Sequence, residues 1–158
     1  MATVTATQKR NTSGLVAGNG LAYTPKVLLA TIALPASASG TIIDFGNIPS
    51  NARIMGISQI MADDLATSGS PTLDIGLAPV NGNITADPDA INDGLVISSA
   101  LTATSVVKGI ENRGKLAWEY VSGQSTDPGG ALNVIGTIKD AATNAAGDVT
   151  LELLYYVD

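Results

Sequence analysis

The chain contains no cysteine and no histidine. The first absence rules out disulfides, thiolate nucleophiles and cysteine-held metals. The second removes the imidazole base, His-containing triads and the usual zinc ligand sets. Aromatic side chains are scarce as well, with one Trp, one Phe and four Tyr in 158 residues; composition leaves a carboxylate-only glycosidase open, but such enzymes usually carry aromatic sugar platforms. Long apolar runs are missing too. The longest, Val27 to Leu34, is far short of a membrane span. The leading MATVTATQKRNTSG carries no apolar stretch of the signal-peptide kind, so synthesis in a cytoplasm is expected.

One further absence is local. No acidic side chain precedes Asp44, so Lys9, Arg10 and Lys26 give the first 43 residues a formal charge of 3 − 0 = +3. From Asp44 onward 5 basic and 14 acidic residues give 5 − 14 = −9, which together make the overall −6. A basic, polar, small-residue leader on an acidic body predicts an extended N-terminal arm over residues 1–25 with a partner of its own. The body is expected over residues 26–158 as one domain. An acidic body excludes broad nucleic-acid binding, because phosphate contacts need clustered Lys and Arg.

What is present is an all-β texture: 17 Gly, 7 Pro and many Ser, Thr, Asn and Asp between short apolar runs. Strands are expected at 27–34, 41–45, 53–61, 71–78, 95–98, 101–107, 115–121, 132–138 and 149–157. Leu73, Ile75 and Leu77 share one face, as do Val149, Leu151, Leu153, Tyr155 and Val157, and as do Met55, Ile57 and Met61. Leu116, Trp118 and Tyr120 share another, which places Trp118 in the core. Asp87-Pro88-Asp89 followed by Gly94 predicts a short capped helix. The expected architecture is a jelly-roll-like antiparallel β-sandwich, with an immunoglobulin-type sandwich as runner-up lacking its Cys–Trp–Cys framework.

Few residues suggest chemistry. Asn83, Asp87, Asp89, Asn92 and Asp93 are hard oxygen ligands, but their spacing is not that of an EF-hand; a capped turn is the simpler reading and a weak calcium site the alternative. Asp63 and Asp64 are adjacent, so on a strand they diverge and make a poor acid/base pair. No catalytic residue, cofactor site or metal is expected. Lys108, Arg113 and Lys115 form a small basic cluster around Glu111, read as a solvated turn or part of a charged interface. Ile135, Leu154 and Tyr156 interrupt polar faces and imply either intrachain cover or an oligomer interface.

The run LATIALPASASGTIIDFGNIPSNARIMGIS, then TLDIGLAP, ADPDAINDGL and the closing AAGDVTLELLYYVD, resembles small structural proteins of tailed-bacteriophage virions, most of all capsid decoration (cement) proteins. The resemblance covers about residues 23–158 and consists of structural phrases, with no catalytic signature. It implies a non-enzymatic protein on the outside of a phage head, bound to the major capsid protein and stabilising it, often as a homotrimer. It further implies a virion location; the acidic body and the short apolar runs, in turn, lead us to expect no nucleic-acid and no membrane partner. On the reading of the arm, Lys9, Arg10 and Lys26 would meet acidic surface while Leu15, Val16, Leu21 and Tyr23 fill apolar grooves. The alternative is a lectin-like or receptor-facing module of head fibre or tail, which requires an exposed Trp118.

Overall fold

The computed structural model describes residues 3–5, 8–12 and 24–157. Along the chain run β1 (Thr3–Thr5), β2 (Gln8–Thr12), β3 (Lys26–Leu34), β4 (Ile42–Pro49), β5 (Ala52–Ile54), β6 (Gln59–Ala62), β7 (Thr72–Pro79), β8 (Asp87–Val96), β9 (Leu101–Ser105), β10 (Ala131–Lys139) and β11 (Gly147–Val157). Two 3-10 turns, Ile110–Asn112 and Ala117–Tyr120, lie between β9 and β10.

The strands make two sheets, ordered β1-β4-β10-β7-β8 and β2-β3-β11-β6-β9, with β5 also pairing to β11. In the body every pairing is antiparallel. Apart from the β7–β8 hairpin, successive main strands of the body cross from one sheet to the other. This is the connectivity of a jelly roll, as expected, and it sets the immunoglobulin alternative aside.

The inner faces are written in the period-2 pattern. Val149, Leu151, Leu153 and Tyr155 of β11 are at most 2% exposed, and so are Leu28, Ala30, Ile32 and Leu34 of β3 and Leu73, Ile75 and Leu77 of β7. Phe45, the one phenylalanine, fills the middle of the sandwich from β4 at 0% exposure. Each such side chain contributes roughly 1.5–3 kcal/mol by leaving water. Ordinary apolar burial therefore accounts for cohesion without any disulfide or metal.

Four segments depart from the sequence-based expectations. The helix predicted after Asp87 is instead β8, the edge strand of its sheet. Pro88 is tolerated there because an edge strand leaves one row of N–H groups unpaired. The Asp87 carboxylate accepts from Ser122 N–H at 2.6 Å across the fold and caps no helix. β8 pairs with β7 through two register shifts, and its first residues pass so close over Gly76 that a Cβ there would strike the Asp87 carbonyl oxygen and Pro88.

The predicted 115–121 strand is a 3-10 turn, which buries residues three apart, Ala117 and Tyr120, and leaves Leu116 and Trp118 half-buried. The single strand predicted over 53–61 is two, β5 and β6, separated by a turn at 55–58. Ser58, fully buried, holds that break: its hydroxyl donates to Met55 O at 2.7 Å and accepts from Leu154 N–H at 3.0 Å. The face shared by Ile57 and Met61 is the outer one, with Ile57 62% and Met61 51% exposed. Finally, the strand expected at 95–98 is no separate element, since Leu95 and Val96 finish β8.

At the other end of the chain, β1 lies parallel to β4 and β2 antiparallel to β3, with Thr12 opposite Val27. Lys9 and Arg10 stand on β2 opposite Ala30 and Leu29. Leu15, Val16, Leu21 and Tyr23 lie outside the described residues.

Candidate functional site

The acidic loop residues do not converge. Asn83 is a structural brace: its Oδ1 accepts from Val80 N–H at 3.0 Å, and its Nδ2 donates to Gly129 O and Ala131 O, both at 3.0 Å. Asn92 Nδ2 donates to Val106 O at 2.8 Å, and Asp93 pairs with Lys108 at 3.6 Å. Among the described residues no group of three or more Asp, Glu, His or Cys is arranged to hold a metal ion. Asp87 and Asp89 do meet; burial raises the Asp87 carboxyl above its ordinary value, and the neighbouring Asp89 pushes it the same way.

Asp63 and Asp64 are occupied by the backbone. Asp63 Oδ2 accepts from Asp148 N–H at 2.8 Å, Asp63 N–H donates to Asp148 O at 2.9 Å, and Asp64 Oδ1 accepts from Ala66 N–H at 3.1 Å. These contacts tie the β6 exit to the start of β11 and place no carboxylate pair around a substrate. Asp74 is the most buried carboxylate described, at 2% exposure. Burial raises its ionisation above the ordinary range, although its Oδ1 accepts from Gly94 N–H at 2.9 Å. It lies beneath the β8 edge rather than in a cleft. Trp118 packs half-buried against the core with its indole nitrogen out of solvent, which is not the posture of a sugar platform.

What the surface offers is contact area. Leu154 and Tyr156 are half-buried on the outer face of the β11 sheet, next to Val27 and Arg53 respectively, whereas Ile135 is 4% exposed. Lys26 begins β3, half-buried opposite Tyr155. Lys108, Arg113 and Lys115 do come together around the Ile110–Asn112 turn. Reasoning from sequence missed that Arg53 joins them: it sits opposite Leu116, and its guanidinium donates to Gly114 O at 2.5 Å. Nothing in a local window links positions 53 and 116; only the pairing does.

With this geometry in view, the chain can be set against known proteins. No protein-family model matches it, and no curated protein does. A solved structure does. The fold is shared with a chain of the cyanophage Pam1 capsid asymmetric unit. The identity is 23%, the TM-score is 0.52, and the alignment covers 93% of this chain and 94% of that one. At that identity the likeness is one of fold, and it runs nearly end to end in both chains, so it concerns the whole jelly roll and not a single hairpin or sheet.

Proposed function

We propose that this protein is a non-enzymatic structural component of a phage particle: a decoration (cement) protein that binds the outside of the capsid and stabilises it. The observation that carries this reading is the end-to-end fold likeness to a similarly sized chain of a phage capsid asymmetric unit. The site geometry is in keeping with it: the candidate acids Asp63, Asp64 and Asp87 each accept from a backbone amide.

On this reading the partner is the major capsid protein, the protein acts in the virion, and a homotrimer multiplies weak single contacts into stable attachment. Residues 1–25 form the attaching segment, of which β1 and β2 lie along the molecule's own sheets. Lys9, Arg10 and Lys26 face acidic shell surface, while Leu15, Val16, Leu21 and Tyr23 enter apolar grooves. Leu154 and Tyr156, on the outer face of the β11 sheet, belong to the contact between copies; Ile135 lies nearly buried on β10 of the other sheet and serves as intrachain packing.

The test is co-sedimentation with phage heads that lack the protein. Saturable binding of the full chain, weakened in Lys9→Glu/Arg10→Glu and more so on removing residues 1–25, is the expected result. No binding to any head form would refute the reading, and binding indifferent to both changes would refute the role of the arm.

A further inference from the structure

From Asp44 onward the chain has 5 basic residues, and 4 of them, Arg53, Lys108, Arg113 and Lys115, fall on two segments that the fold joins. Ile54 N–H donates to Lys115 O and Gly114 N–H to Ile54 O, both at 3.2 Å. The Arg113 stem lies over Gly56, where an added Cβ would come within 2.6 Å of its Cγ. The same two segments carry Ile110, 77% exposed, and Ile57, 62% exposed, the two most exposed large apolar side chains among the described residues. Glu111, Glu119, whose carboxylate accepts from Leu116 N–H at 2.7 Å, and the Asp93 partner of Lys108 offset three of the four positive charges, and the remaining 4 − 3 = +1 is still of opposite sign to a body of formal charge −9.

This tip is braced. The Ile110–Asn112 turn is bounded by Gly109 at φ 79° and Gly114 at φ 81°, a left-handed backbone that other residues resist. Asn112 O accepts from the buried Tyr120 hydroxyl at 2.5 Å, Asn112 Nδ2 donates to Lys108 O at 2.6 Å, and Asn112 Oδ1 accepts from Lys115 Nζ at 2.7 Å. Ile110 is therefore held in water on a fixed loop, where nothing in folding requires it. A contact made by a preorganised loop loses little to ordering, and an apolar anchor flanked by Arg is the usual composition of an interface centre.

We propose that this tip, with Ile110 and Ile57 as anchors and Arg53, Lys108, Arg113 and Lys115 around them, docks onto an acidic protein surface that offers an apolar pocket. The inference rests on the proposed function, in which that surface belongs to the capsid shell, and it is separate from the N-terminal arm. Charge complementarity selects the partner's sign. A protein surface is selected over an anionic membrane or nucleic acid because the rest of the body is acidic and would be repelled by a sheet of phosphates, whereas a pocket engages the tip alone.

The experiment titrates the full chain onto heads lacking it, comparing wild type with Ile110→Asp, Ile57→Asp, Arg113→Gln and, as a control, Lys139→Gln, the remaining body cation. The expected result is a loss of about tenfold or more in affinity for each isoleucine variant. Arg113→Gln should lose severalfold together with part of the salt dependence, and Lys139→Gln should bind as wild type. The isoleucines are exposed, so either variant that keeps wild-type circular dichroism suffices. Wild type that binds alongside isoleucine variants that bind equally well would overturn this inference and leave the proposed function standing. Failure of wild type to bind would overturn both. Wild type that co-sediments with anionic phospholipid vesicles as well as with heads would overturn the choice of a protein partner.

Discussion

Gly136 sits in the middle of β10, pointing into the sandwich, and its lack of a side chain makes room for the Phe45 ring. A Cβ added there would lie 2.9 Å from Phe45 Cε2, 3.1 Å from Leu73 Cδ1 and 3.4 Å from Ile43 Cβ. Carbon atoms prefer about 3.5–4.0 Å, so the ring must retreat by roughly 0.6 Å or more. Phe45, Leu73 and Ile43 are all at 0% exposure, and a close-packed interior has nowhere to send the displaced ring. Overpacking of this kind costs about 1–3 kcal/mol. Alanine returns about 0.4–1 kcal/mol by restricting the unfolded chain, since Gly136 is not among the positive-φ positions. Gly136→Ala is therefore expected to destabilise by about 1–2 kcal/mol. Phe45→Leu, which removes the ring edge and leaves a void, should cost a similar amount. The decisive variant is the double one. If the new methyl fills the space the ring vacates, the two losses will not add, and the shortfall should be about 1 kcal/mol or more. Urea unfolding at one fixed protein concentration measures all three. Losses that add to within about 0.5 kcal/mol, or a stabilised Gly136→Ala, would refute this packing account.

Two other changes test distinct parts of the fold. Ser58→Ala should cost about 1–3 kcal/mol by chemical denaturation, because Leu154 N–H loses its acceptor and faces a fully buried methyl, while Met55 O keeps the Ser58 N–H at 3.0 Å; a neutral substitution would mean that main-chain rearrangement closes the β5–β6 break without the hydroxyl. Asp74 is buried with its ionisation raised, so the folded state binds that proton more tightly than the unfolded chain does. Stability then falls as pH rises from the ordinary aspartate value of 3.8 through the raised folded value, and it is spared below 3.8. Asp74→Asn, which keeps an acceptor for Gly94 N–H, should be more stable than wild type at pH 7 and lose that advantage by about pH 3 in unfolding midpoints taken across the range; a constant difference at every pH would refute the titration argument.

The parts legible in sequence were those whose inner face carries an unbroken apolar alternation. β11 and β7 alternate in residue type because their inner residues meet the opposite sheet, and that pattern is visible in any local window even though the outer face of β7, with Asp74, is covered too. The jelly-roll architecture followed from such runs and from the turn chemistry between them. β8 misled because Asp-Pro-Asp serves an edge strand as well as a helix start, and only its neighbour β7 shows which. The break at 55–58 is held by a hydroxyl bonding to position 154, and the 117–120 turn is set by packing on β5, so neither had a local signature. The basic cluster at 108–115 was visible, but its size was not, because Arg53 and Ile57 reach it through strand pairing. The arm residues from Leu15 to Tyr23 stand outside the described structure, and their role rests on charge and composition.

The pairing of β1 and β2 with β4 and β3 has a consequence for how copies of the chain meet one another. A sheet's outermost strand is a template on which other chains can polymerise. Here β3 and β4, long strands that would otherwise end their sheets, each have a short partner from the start of the same chain. The four edges that result are poor templates: β1 and β2 are three and five residues long, β8 is interrupted by two register shifts and carries Pro88, and β9 is five residues long with Ala103 at φ 28°. The fold thus defends itself against edge-to-edge aggregation with its own N-terminus on one flank and with irregularity on the other. Pairing between copies of the chain through these edges is thereby disfavoured.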